Sequence, residues 1–152
     1  MENDIKTCQI CGRAIKAKNG RIAHHGYKRP DIGWQTASCM GARALPYEVS
    51  CDIIPPAIER VKIQITNIEN DIKEYLTNPP DLMIERDVFS RNVREFKKPE
   101  GFDPNNNARK SWYGTYECEY EGKLRKMERQ LKENINFKVY LEDRLKNWVK
   151  IA

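Results

Sequence analysis

The chain has 152 residues, with 27 Lys and Arg against 22 Asp and Glu, a formal net charge of +5, 32% charged residues and 39% from the apolar set. Its size fits one domain or a small module with an appendage, and its polarity excludes a deep single core. It has no run of eighteen apolar residues, which excludes a membrane-spanning helix, and Met1–Arg13 lacks the basic-then-apolar pattern of a secretory signal.

Residues 1–55 hold 8 basic and 5 acidic side chains, four of the five Cys, both His and five of the eight Gly. That composition predicts a turn-rich segment with short strands, too polar to pack unaided. An odd cysteine count without a secretory signal argues against a disulfide framework and for reduced thiols in a cytoplasm, some of them gathered on a metal. Cys8-Gln9-Ile10-Cys11-Gly12 presents two sulfurs to one ion on a tight turn. His24-His25 follow a strand-like Arg21-Ile22-Ala23, and Cys39 follows those. Adjacent strand residues point to opposite faces, so one of the two His ligates, and Gly26 favours His25. The expected site is therefore Zn2+ on Cys8, Cys11, His25 and Cys39, a closed structural set with no open position for a substrate water. Three thiolates and the ion sum to −1, which lowers the working charge of the chain. Cys51 is a spare ligand and Cys118 a packing residue.

Pro55-Pro56 opens a helix expected over 56–77, whose Ile58, Val61, Ile65, Ile68, Ile72 and Tyr75 recur in steps of three and four. Asn78-Pro79-Pro80 ends it. Asp81 reads as an N-cap, and Leu82, Phe89, Val93 and Phe96 predict a second helix over 81–97. Residues 99–107 read as a loop, and 108–149 as one long helix with a seam of Tyr120, Leu124, Met127, Leu131, Leu141, Leu145 and Trp148. Gly114 and Gly122 weaken its start, and Asn134 and Lys138 interrupt the heptad, which predicts a kink or a shift of the buried face. The expected fold is mainly α: a zinc-binding β-turn module over 1–55, then an antiparallel, coiled-coil-like helical hairpin over 56–152. Surplus seam on the longer helix leaves a monomer or a homodimer open.

The pattern Cys8-x2-Cys11-Gly12, His24-His25-Gly26-Tyr27-x-Arg29-Pro30, Ser38-Cys39-x-Gly41, Leu45-Pro46-Tyr47-Glu48-x-Ser50 resembles a family of uncharacterised small proteins encoded by phages and plasmids. The likeness covers about a third of the chain, and a helical tail ending near Arg144 and Trp148 is also similar. It implies a mobile-element origin and a metal site, and assigns no activity.

Three functional classes compete. Cys-x2-Cys followed by His-His loosely resembles HNH nucleases, yet no Asn and no further His lie between His25 and Asn67, and Cys39 is not half of a second pair. No phosphate-binding Gly-Lys loop and no His-x-Glu motif exist either, so no catalytic residue is expected. DNA or RNA binding as a zinc finger draws on Lys16, Lys18, Arg21, Lys28, Arg29 and Arg43, with Tyr27 and Trp34 for stacking. Basic residues beside a thiolate cluster also simply balance its charge. The leading expectation is a non-enzymatic zinc-binding accessory protein of a phage or mobile element, acting in the host cytoplasm. It would dock there on a host protein or nucleoprotein complex, with no membrane partner.

Overall fold

The computed structural model describes residues 4–28, 35–87, Phe89, 92–106 and 114–150. The expected roles of Arg29 and Trp34, of the Tyr27 and Lys28 side chains, and of residues 108–113 as helix lie outside the described residues.

Strands β1 (Ile5–Thr7), β2 (Ala14–Lys18) and β3 (Arg21–Ile22) form one antiparallel sheet in that order. Asn19 and Gly20 turn β2 into β3 with φ of 54° and 71°, the left-handed pair that matches strand twist in a two-residue hairpin. β4 (Gly26–Lys28) and β5 (Gln35–Ser38) form a second antiparallel pair, with an irregular register between Gly26 and Lys28. Helix α1 covers Ile54–Thr77, with Pro55 and Pro56 in its first turn, where a missing N–H costs nothing. β6 (Leu82–Arg86) and β7 (Val93–Lys97) form a two-stranded hairpin, and α2 covers Tyr116–Lys146 as one unbroken 31-residue helix.

The fold therefore differs from a mainly α chain ending in a helical hairpin. Three small antiparallel sheets share the chain with two helices that pack together. Where a helix was expected over 81–97, the chain forms β6 and β7. Met83 lies opposite Phe96 in the register, so both fall on one face; Phe96 is buried and Met83 packs on the same aromatic core. Helical spacing would have turned Phe89 inward with Phe96, yet Phe89 is 97% exposed. Packing of this one pair on the aromatic core won over the 3.6-residue pattern, and the other residues of both strands are exposed. The last helix also starts later than 108. Gly114 has φ of 80°, and Thr115 caps the helix by accepting from Cys118 N through Oγ1 at 3.3 Å.

The chain divides into two compact units: residues Met1–Ile63 with Ile135–Ala152, and Gln64–Asn134. In the first, Cys8, Gln9, Ile10, Ile22, Cys39, Ile54, Ala57, Ile58, Val61 and Leu141 are buried. The second has an aromatic core. Tyr75 and Tyr120 stack with centroids 4.4 Å apart, and Phe102 meets Tyr116 and Tyr120 edge-on at 5.0 and 4.9 Å. Their polar ends are satisfied: Tyr120 donates to Tyr75 O at 2.8 Å and Tyr116 to Pro80 O at 2.6 Å. Ile65, Ile68 and Ile72 of the expected seam are only half-buried.

Candidate metal centre

The β1–β2 connection is a knuckle. Cys8 N donates to Arg13 O at 2.9 Å and Gly12 N to Cys8 O at 3.1 Å, and Gly12 takes φ of 69°. This turn points the Cys8 and Cys11 sulfurs the same way. On the far side, Cys39 N donates to His25 O at 3.0 Å, which joins the ends of β4 and β5.

The ligand atoms of Cys8, Cys11, His25 and Cys39 all lie within 4.8 Å of one another, and they form a cluster that can hold a metal ion. Cys8 Sγ is 3.9 Å from Cys39 Sγ, and Cys11 Sγ is 3.4 Å from His25 Nε2. The first is far too long for a disulfide, and all five cysteines are free. A tetrahedral ion with bonds of about 2.3 Å to sulfur and about 2.0 Å to nitrogen would separate its ligands by about 3.8 Å (S–S) and about 3.5 Å (S–N). Both observed distances fit that tetrahedron.

Backbone geometry sorts the two histidines. His25 Nδ1 lies 2.9 Å from Ala23 O; with Nδ1–H donating there, Nε2 carries its lone pair toward the sulfurs. His24 is exposed and pairs through Nε2 with Ser38 Oγ at 2.9 Å, away from the cluster. Cys51, just before α1, and Cys118, in the first turn of α2, are half-buried and belong to no such cluster among the described residues.

Amide donors surround the sulfurs. Ile10 and Cys11 N–H groups serve Cys8, Arg13 N–H serves Cys11, and Gly41 N–H serves Cys39. Arg13 also donates to Cys11 Sγ through Nε at 3.4 Å and to Gly26 O. Hydrogen bonds from Cys39 and Cys8, with Arg13 adding to them, hold the Cys11 thiol far below its usual range. The negative sulfur of Cys11 in turn pushes the Cys39 and Cys8 thiols up. A cation bound among the three sulfurs would favour the thiolate form of each. With four protein ligands, an ion held here would have no vacant position for substrate.

Four supporting residues carry no ligand signature in the sequence. Gln9 is fully buried; its Nε2 donates to Leu45 O and Asp52 Oδ1 at 2.8 and 3.0 Å, and its Oε1 accepts from Ile53 N at 3.2 Å. A polar residue inside an otherwise apolar knuckle was the available hint. Gly41 sits so close that a Cβ there would collide with Cys8 Sγ. Arg13 is not singled out by any sequence motif, and Arg144 enters the sequence reading only through the resemblance of the helical tail.

No protein-family model, no curated protein and no solved structure matches this chain.

Proposed function

We propose that Cys8, Cys11, His25 and Cys39 hold one Zn2+ as a structural ion, and that the chain is a non-enzymatic accessory protein of a phage or mobile element. It docks on a host protein or nucleoprotein complex in the cytoplasm. The observation that carries this reading is the closed Cys3His tetrahedron with its shell of amide donors, a thiolate-rich donor set that suits zinc. Two grooves in the second unit, of about 760 and 360 Å³, contain neither His nor Cys, so neither offers a nucleophile paired with an imidazole base. The β6–β7 hairpin supports docking instead. Leu82, Ile84, Phe89 and Val93 are 43%, 55%, 97% and 54% exposed, an apolar display that water disfavours and a protein partner would cover.

Elemental analysis of freshly purified protein should find one zinc per chain, with Cys8, Cys11 and Cys39 protected from thiol labelling until a chelator is added. Free thiols and no metal would overturn the zinc reading. Capture from a bacterial lysate, with and without nuclease, then tests docking. A partner retained after nuclease, and lost with Phe89→Ser and Ile84→Ser together, is expected; capture unaffected by that pair would show that the hairpin is not the docking surface.

A further inference from the structure

We infer that the exposed face of the β2–β3 hairpin, together with Arg43, is a docking surface for the phosphate backbone of a nucleic acid. The inference deepens the reading of a zinc-folded docking protein and rests on it. Strand alternation places Lys16 and Lys18 on one face of β2, about 7 Å apart, close to the spacing of successive phosphates along a strand. Arg21 lies directly opposite Lys18 in the register, and all three side chains are exposed. Like charges facing each other across a strand pair repel, and the sheet gains nothing from them. No ion pair relieves them: among the described residues Lys16, Lys18, Arg21 and Arg43 form no salt bridge, and Asp4, the acid next to β1, is engaged by Lys6 at 3.2 Å.

Arg43 supplies an independent observation. It takes φ of 67°, a conformation that costs an L side chain free energy and glycine nothing. The strain is held in place because Arg43 N donates to Ile22 O at 2.8 Å and Ile22 N to Ala44 O at 2.9 Å. Arg21 Nη1 donates to Arg43 O at 3.1 Å, which ties the two cations into one patch. Among the described residues, the exposed Arg43 guanidinium makes no hydrogen bond or ion pair that would repay the strain within the chain. Four unneutralised cations at fixed spacing, one of them held under strain, suit a polyanion of regular charge, and they read no base sequence. The patch is also tied to the metal centre. Lys16 O accepts from Ala23 N at 2.8 Å, and Ala23 O is the partner of the His25 ring.

Fluorescence anisotropy with a short labelled DNA duplex and matching single-stranded DNA and RNA tests this on protein whose zinc content has been measured. Wild type should bind at least one of them, with affinity falling about 100-fold between about 50 and about 200 mM salt, as four phosphate contacts require. Lys16→Ala, Lys18→Ala and Arg21→Ala together should remove most of that salt dependence with zinc retained. Lys126→Ala with Arg129→Ala, on exposed positions of α2, should leave affinity within about two-fold. Arg43→Gly should weaken binding several-fold while raising the melting temperature, a combination that a purely structural arginine would not give. Three results would overturn the inference: no nucleic-acid binding by zinc-loaded protein, equal losses from the α2 pair, or binding of poly-glutamate in preference to DNA and RNA. Absence of zinc would instead strike the functional reading on which it rests.

Discussion

Arg144 fastens the end of α2 to the backbone of Cys8, donating through Nη2 to the Cys8 carbonyl at 3.1 Å and through Nε to that of Gln9 at 3.0 Å. Its guanidinium carbon lies 3.9 Å from the centroid of the Tyr47 ring. Tyr47 closes the clasp from the other side: its hydroxyl donates to Arg144 O at 2.5 Å, and its own carbonyl accepts from Trp148 Nε1 at 2.6 Å. Three side chains thus bind helix terminus, loop and metal knuckle into one unit.

Removing the guanidinium strips two carbonyls of a charged donor and Tyr47 of its cation. Arg144→Ala should lower unfolding stability by about 2–4 kcal/mol, since a bond to a charged group contributes about 1.5–3 kcal/mol and this site is only half-buried. Arg144→Lys should recover less than half of the loss, because an ammonium cannot serve two carbonyls and a ring from one plane. Urea titration followed by far-UV circular dichroism measures both. A loss under about 0.5 kcal/mol for the alanine variant would mean the clasp is incidental.

The clasp also sets how metal loss is felt. The polar head has few large apolar side chains to offset its ordering cost, so a zinc ion held by the proposed quartet, with apparent binding energy of about 10–16 kcal/mol, would be the largest stabilising contribution there. Cys11→Ser and His25→Ala should each reduce zinc affinity by more than about 100-fold, while His24→Ala leaves it within about three-fold. Hydrogen exchange on the Cys11→Ser protein should show lost amide protection over 135–146 as well as in β1–β5. Protection of 116–134, in the unit with the aromatic core, should persist. Full protection of 135–146 would show the helix end to be independent of the knuckle.

The clustering of Cys8, Cys11, His25 and Cys39 was legible because liganding imposes residue type and close spacing, and α1 because prolines at 55–56 and 79–80 bracket a strict apolar stripe. The β6–β7 hairpin was not. Leu82, Phe89, Val93 and Phe96 satisfy helical spacing, and only the aromatic core that receives Met83 and Phe96 selects the paired strands. The seams marked Tyr75 and Tyr120, but that core also draws on Phe102 and Tyr116, and local pattern does not announce their meeting with Tyr75. The start of α2 is marked by Thr115 as N-cap and by Glu117 and Glu119 in the first turn, a signal the reading of one long helix from 108 does not use. The clasp escaped because carbonyl acceptors have no sequence signature at all.

Two carboxylates give the first unit an acid-sensitive edge. Burial works against the Glu48 carboxylate, but the Thr7 amide, donating to Oε1 and Oε2 at 2.9 and 3.2 Å, more than offsets it and holds its pKa below the usual 4.5. Hydrogen bonds from Ser50 and Gln9 likewise hold Asp52 below its usual 3.8. Both groups bind fewer protons folded than unfolded, so their stabilisation is complete above about pH 4.5 and is lost as pH falls through the lower, folded values. Glu48→Gln should therefore flatten the stability profile below about pH 4.5 relative to wild type, and Asp52→Asn should do so somewhat lower. Differences between variant and wild type isolate these groups from the cysteines, whose protonation would release a bound metal in the same direction. Parallel profiles for Glu48→Gln and wild type would show that the Thr7 contact does not stabilise the folded carboxylate.

Two glycines separate close approach from mere flexibility. Gly41 faces the Cys8 sulfur, so an added Cβ cannot fit unless the Cys39 turn moves away from the knuckle. Gly122 lies inside α2 with nothing within 4 Å of where its Cβ would stand. Gly41→Ala should cost more than about 2 kcal/mol and weaken zinc binding at least about ten-fold, since it displaces a ligand-bearing turn. Gly122→Ala should raise stability by about 1 kcal/mol, because alanine restricts the unfolded chain and suits a helix interior. Thermal denaturation and a competitive chelator titration read the two effects. Equal behaviour of the two variants, in either direction, would show that the Cys8 sulfur does not press on position 41 and that the Cys39 turn is not packed on the knuckle as the geometry has it.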